Sequence, residues 1–80
     1  MSIEIEVGTI EHDDPQRRFS VFAYVCEEFR EQVEFVIVRF GCISVFEGKP
    51  SDARTPFQQE VVAFAQSKVT ELIWDDGILE

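Results

Sequence analysis

One segment of this chain has the apolar spacing of an α-helix, and it lies near the C-terminus. Thr55 is a preferred N-cap, Pro56 suits the first helical position, and Gln58 completes a capping box. Apolar residues then recur at spacings of three and four: Phe57, Val61, Phe64, Ala65, Val69, Leu72 and Ile73. Gly77 is the predicted stop, with Ile78 packing back on the helix. We therefore predict a helix of about 19 residues, or ~28 Å at the α-helical rise, which is long enough to cross a four-stranded sheet.

The residues before this helix have the period of β-strands. Apolar residues alternate with glutamates from Ile3 to Val7 until the phase breaks at Gly8, where an inserted residue would form a β-bulge. Three further strands are predicted, at about 17–27, 32–40 and 43–46, because these stretches are rich in β-branched and aromatic residues. The pattern predicts an α+β fold, namely a four-stranded antiparallel β-meander with one long C-terminal α-helix packed on one face (ββββα).

Turn-forming residues separate the predicted strands. Asp13–Gln16 has the composition of a turn built around a proline, and residues 28–31 form a charged hairpin loop. Gly41 and Cys42 fit a two-residue type II′ turn with glycine at the first central position. Residues 48–52 form the loop that leads toward the helix.

A hairpin centred on residues 29–30 determines which side chains of the two middle strands share a face of the sheet. The first face holds Phe19, Val21, Ala23, Val25, Val36, Val38 and Phe40, joined by Ile43 and Val45. The second face holds Phe22, Tyr24, Cys26, Val33, Phe35 and Ile37, joined by Phe46 and, through the Asp13–Gln16 loop, by Ile3, Ile5 and Val7. We assign the helix to the first face, where the small Ala23 leaves room for a bulky side chain. The second face is then an apolar patch on the order of 500 Å², which a partner, a second copy or the chain itself would cover.

Length and charge limit the possible functions. The 80 residues suffice for one small domain, residues 1–80, with no room for separate cofactor and substrate domains. Sixteen acidic residues oppose seven basic ones, and the net charge of −9 repels nucleic-acid phosphates. No apolar run is long enough to span a membrane, and the alternating N-terminus is unlike a signal peptide. We therefore expect a cytoplasmic protein that does not bind nucleic acid directly.

The side chains that carry chemistry are few. His12, beside Asp13 and Asp14, has the residue types of a metal ligand or a base, but we interpret it as a solvated turn residue. Cys26 and Cys42 lie at opposite ends of the predicted sheet and are interpreted as small apolar fillers in a reducing compartment. No set of nucleophile, base and orienting group assembles, so we predict no enzyme activity, no cofactor and no metal.

The carboxylates form clusters, at Glu11, Asp13 and Asp14, at the 27–34 hairpin, and at Asp75, Asp76 and Glu80. The last cluster lies where the helix dipole is negative and costs stability there. A locally unfavourable choice can mark function, but we prefer the simpler interpretation, in which the acidic surface keeps a small protein soluble. We expect the helix to begin at the 28–31 end of the sheet, which would bring Asp75 and Asp76 beside Glu11. Trp74 is an interface anchor or closes the bottom of the core.

These features favour a small acidic protein-binding module, most consistent with an inhibitor that occupies a basic, nucleic-acid-binding surface of a partner protein. The candidate partner-binding residues are Glu11, Asp13, Asp14, Phe22, Tyr24, Phe35, Trp74, Asp75 and Asp76. In size, charge and architecture the chain resembles small phage-encoded inhibitors of bacterial defence, including anti-CRISPR proteins, and toxin-immunity proteins. No motif carries this resemblance, so it assigns no residue a role. The alternative is a homodimeric accessory or structural protein that buries its second sheet face and inhibits nothing.

Overall fold

A computed structural model of the chain describes residues 2–12, 14–26, 28 and 32–76, with the side chains of 14–16 and 73–76 outside the description. Four antiparallel strands form one sheet in sequence order: β1 (Ser2–His12), β2 (Asp14–Cys26), β3 (Val33–Phe40) and β4 (Ile43–Gly48). A short 3₁₀ helix (Pro50–Asp52) precedes the long helix α1 (Pro56–Asp76). This arrangement confirms the predicted ββββα fold.

The capping box sets the start of α1. The backbone N–H of Gln58 donates to Thr55 Oγ1 at 3.1 Å, and the Gln58 Oε1 accepts from the backbone N–H groups of Thr55 and Arg54 at 3.2 and 2.8 Å. These bonds satisfy amides that have no partner within the helix. The helix ends at Asp76 and is slightly longer than predicted; Gly77 and Ile78, the predicted stop and its contact, lie outside the described residues.

The core lies between α1 and the first face of the sheet, as predicted. The helix packs on β1, β2 and β3. Six valines are fully buried there: Val21, Val25, Val36, Val38, Val61 and Val69. Ala23 and Ala65 are also fully buried, so the predicted small residue does lie under the helix layer. A core of this composition gives dense packing with few rotamers to fix.

The register between β2 and β3 agrees with the prediction over most of its length. Val21 pairs with Val38 and Ala23 with Val36, while Phe22 pairs with Ile37 and Tyr24 with Phe35. The prediction is wrong at one end, where Val33 pairs with Val25 and not with Cys26. Glu34 is an extra residue at a bulge, and it turns Val33 into the core, where Val33 is 9% exposed.

The prediction for β1 is wrong in its faces although right in its bulge. From Gly8 to Glu11, β1 pairs with β2 in the register expected for a four-residue loop at Asp13–Gln16. The loop itself is shorter than predicted, because β2 already begins at Asp14. The extra residue Val7 then shifts the register between Glu6 and Gly8. Ile3 and Ile5 therefore pair with Val25 and Ala23 on the helix-covered face, and Glu4 and Glu6 take the second face.

A third bulge corrects the placement of Phe46. Phe40 pairs with Ile43 across the two-residue turn, in which Gly41 has a φ of 63° as its predicted position requires. Val45 is then an extra residue, so that Phe46 pairs with Val38 and packs against the core. It does not lie on the second face.

The helix runs in the direction opposite to the one predicted. The Phe57 ring, in its first turn, lies 4.4 Å from the His12 ring and 5.0 Å from the Phe19 ring. Further along, Phe64 covers Gly8. The helix thus begins at the His12 end of the sheet, because β4 is short and residues 49–55 lead the chain back. Its last turn is therefore at the end of the sheet away from Glu11, contrary to the predicted direction.

Candidate functional site

The second face of the sheet has an aromatic centre and acidic edges. Its centre consists of half-buried or buried residues from the middle strands: Phe22, Tyr24, Cys26, Phe35 and Ile37. The edge strands contribute Ser2, Glu4 and Glu6 from β1 and Ser44 and Glu47 from β4, all exposed. The apolar area is therefore narrower than predicted, because the β1 bulge and the Val45 bulge send apolar residues to the core.

Tyr24 links the acidic edge to the aromatic centre. Its hydroxyl donates to Glu4 Oε2 at 2.6 Å, and its ring meets Phe35 edge to face at a centroid distance of 6.0 Å. The hydrogen bond to Glu4 is the main cause that raises the pKa of the phenol, with smaller contributions from desolvation and from the negative charge of Glu4. Tyr24 is thus held as a neutral donor whose ring is fixed against Phe35.

A shallow, open depression lies beside this pair. It has a volume of about 270 Å³ and is lined by Ser2, Tyr24, Glu34, Phe35 and Ile37. The Ser2 hydroxyl donates to Glu34 Oε2 at 2.5 Å, which holds that carboxylate at the rim. The bulge that turns Val33 inward is what places Glu34 here.

Basic residues on this face are fewer than carboxylates. The Arg39 guanidinium lies over the Phe22 ring at 4.8 Å from its centroid. Arg18 pairs with Glu11 at 3.0 Å near the His12 end. The carboxylates that share this face with the two arginines are those of Glu4, Glu6, Glu11, Glu34 and Glu47. The face is therefore net negative around an aromatic centre.

The structure brings together part of the predicted site. Phe22, Tyr24 and Phe35 lie on one face as expected, and Glu11 lies near the far end of that face. Asp13 is outside the described residues, as are the side chains of Asp14, Trp74, Asp75 and Asp76. Four further carboxylates on this face were not predicted as site residues, because the faces on which they lie depend on the bulges: Glu4, Glu6, Glu34 and Glu47.

A second exposed apolar group lies at the β3–β4 hairpin. Phe40, Ile43 and Val45 are 43%, 66% and 42% exposed. They were predicted to lie on the helix-covered face, and Ile43 does pair with Phe40 on that side. Their exposure places the hairpin at the margin of the helix layer, and it makes them a competing contact surface.

The histidine and one of the two cysteines lie in environments that differ from the predicted ones. His12 is half-buried against the Phe57 ring, with Nδ1 3.7 Å from Glu60 Oε2, so it is not a solvated turn residue. Cys26 is half-buried and Cys42 is exposed, so the interpretation as an apolar filler fails for Cys42. Within residues 2–12, 14–26, 28 and 32–76, no group of three or more His, Cys, Asp or Glu side chains is placed to hold a metal ion.

No family model matches this chain, and neither a curated protein nor a solved structure is significantly similar to it. In the described part of the chain, no helix has both the length and the apolar character needed to cross a membrane.

Proposed function

We propose that this protein is a small acidic binding module that inhibits a partner protein by occupying its basic, nucleic-acid-binding surface. The observation that carries the proposal is the second sheet face, where carboxylates from three strands surround Phe22, Tyr24 and Phe35. The chain acts by occupancy and not by catalysis in this proposal, and an anti-defence or immunity role is its most specific form.

The two parts of the face have different roles in binding. Carboxylates at a rim steer a basic partner and raise the association rate, whereas desolvated aromatic side chains supply most of the affinity. Tyr24 and Phe35 suit the second role because their rings are already fixed against each other, so little rotamer entropy is lost on binding.

The same charge pattern disfavours the homodimer. A second copy docked on this face would bring two acidic rims together, each with Glu4, Glu6 and Glu47, and like charges brought face to face repel. A partner with lysines and arginines in these positions would neutralise them. Charge complementarity therefore favours a basic protein over a second copy.

The proposal is tested by capture and competition. We expect basic proteins held by the immobilised chain to be released by added DNA or RNA and by salt, because the chain and the nucleic acid compete for one surface. Tyr24→Ala, which removes a ring that supplies affinity at the aromatic centre, should abolish capture while circular dichroism shows a folded chain.

Two variants serve as controls. Glu71→Gln changes one carboxylate on the helix, on the other side of the sheet, and should retain capture. Ile43→Ser at the hairpin should also retain capture. Loss of capture by Ile43→Ser together with normal capture by Tyr24→Ala would move the contact surface to the hairpin and refute the proposal.

A further inference from the structure

The depression beside Tyr24 has walls that suit a cationic side chain. The Tyr24 and Phe35 rings form an edge-to-face pair along one side, and Ile37 lines the depression with apolar surface. At about 270 Å³ it is smaller than the ~300–1,000 Å³ typical of small-molecule pockets. Its size and open shape fit one long side chain of a docked protein better than a free metabolite.

Carboxylates lie at the rim of this depression. Glu34 accepts the Ser2 hydroxyl through Oε2, and no donor among the described residues contacts its Oε1. Glu4 accepts from the Tyr24 hydroxyl. The positive charge of Arg39 and the negative charge of Glu47 also act on Tyr24, in opposite directions. A cation in the depression would thus meet the Glu34 carboxylate at its wall and the Glu4 carboxylate beyond the Tyr24 hydroxyl, together with two aromatic rings.

The neighbouring position on the same face already holds a guanidinium. The Arg39 guanidinium lies over Phe22 at 4.8 Å from the ring centroid, which shows that this sheet surface accommodates a guanidinium over an aromatic ring. No described residue places a cation over Tyr24 or Phe35 in the same way; the described contacts of this kind are at Phe22 and Phe64. The depression therefore repeats the environment of Arg39 without the arginine.

We infer that this depression, lined by Tyr24, Glu34, Phe35 and Ile37, binds an arginine side chain of the basic partner. The inference rests on the proposed function for the source of that arginine. Arginine is favoured over lysine because its planar group stacks on aromatic rings and pairs with a carboxylate through two N–H donors, whereas lysine is a compact and strongly hydrated charge.

The test uses two homopeptides of equal length, one of arginine and one of lysine, titrated into the full chain by calorimetry. We expect the arginine peptide to bind about threefold to tenfold more tightly. Glu34→Gln and Phe35→Leu should each weaken arginine binding by about threefold, the scale of one exposed ion pair or cation–π contact. Glu71→Gln makes the same charge change on the helix and should leave the affinity nearly unchanged.

The outcomes separate the two proposals. Equal binding of both peptides, equal effects of Glu34→Gln and Glu71→Gln, or no binding of arginine at all would each overturn the arginine site, and the capture experiment would still decide the inhibitory function. Selective arginine binding that depends on Glu34 and Phe35, with capture of basic proteins unaffected by Tyr24→Ala, would support the site and refute the function. Shifts of the Tyr24 and Phe35 ring resonances on adding the arginine peptide would place the contact directly.

Discussion

Tyr24 is the residue at which the acidic edge and the aromatic centre of the second face meet. Its hydroxyl is held by Glu4 and its ring by Phe35. Because the chain contains one tyrosine, its titration can be observed by ultraviolet absorbance without interference from another phenol.

We predict that Glu4→Gln lowers the pKa of Tyr24 toward its ordinary value. The phenol is neutral when it donates to Glu4, and the bond raises its pKa in the folded chain. The stabilisation from this bond is therefore complete below the pKa of an unfolded tyrosine, and it is lost as the pH rises through the raised pKa. An absorbance titration of both variants measures the change, and identical curves would show that Glu4 does not hold the hydroxyl.

At the scale of elements, the cap and the bulges decide how sheet and helix fit together. Thr55→Ala should lower the free energy of unfolding by about 1 kcal/mol, because it removes the acceptor for the Gln58 amide. Thr70→Ala is the matched control, since the Thr70 hydroxyl donates to the Gln66 carbonyl within the helix, and such a bond adds little. Urea unfolding compares the two; equal effects would contradict a specific role of the cap.

Gly8 is the point at which a side chain would damage the contact between β1 and α1. Its φ is 145°, and a Cβ there would lie 3.2 Å from the Phe64 ring. We predict that Gly8→Ala costs about 1–3 kcal/mol through backbone strain and this close contact. Gly41→Ala also imposes a positive φ but meets no atom within 4 Å, so it should cost less. If thermal or urea unfolding ranked the two in the reverse order, the close packing of Phe64 on Gly8 would be wrong.

The elements were predictable from the sequence where a local signal exists. The cap sequence at Thr55, the apolar spacing of α1 and the β2–β3 hairpin follow from short-range chemistry, and Phe22, Tyr24 and Phe35 could thus be placed on one face. Gly8 indicated the bulge at Val7 in the sequence. The faces of Ile3 and Ile5, however, depend on the register between β1 and β2 beyond that bulge, which has to be counted from the turn that joins the two strands.

The rest could not be predicted for a physical reason. The bulges at Glu34 and Val45 involve no glycine. They form because they allow Val33 and Phe46 to pack in the core, which is favourable. Glu4, Glu34 and Glu47 reach the second face only because of the bulges at Val7, Glu34 and Val45, respectively. The direction of α1 depends on where residues 49–55 lead the chain, and no residue type in that loop encodes this direction.

At the scale of the whole molecule, charge sets how the protein meets others. We predict that the chain alone is a monomer in gel filtration with light scattering, because a net charge of −9 and the acidic rim oppose self-association.

Association with a basic partner should slow steeply as ionic strength rises, and Glu4→Gln combined with Glu6→Gln and Glu47→Gln should flatten that dependence. A stable dimer at low salt would support the homodimeric alternative, and an association rate insensitive to salt would assign the acidity to solubility alone.

The bulge at Val7 also allows β1 to lose one residue without changing its register with β2. Over this stretch the strand has one residue more than the part of β2 with which it pairs. The loss of one residue near positions 7–9 can be absorbed by closing the bulge, and Ile3 and Ile5 then keep their frame. An inserted residue cannot be accommodated in this way, because it would have to widen the bulge or turn both isoleucines outward. Natural length variation in this strand is therefore expected to be one-sided, toward shortening.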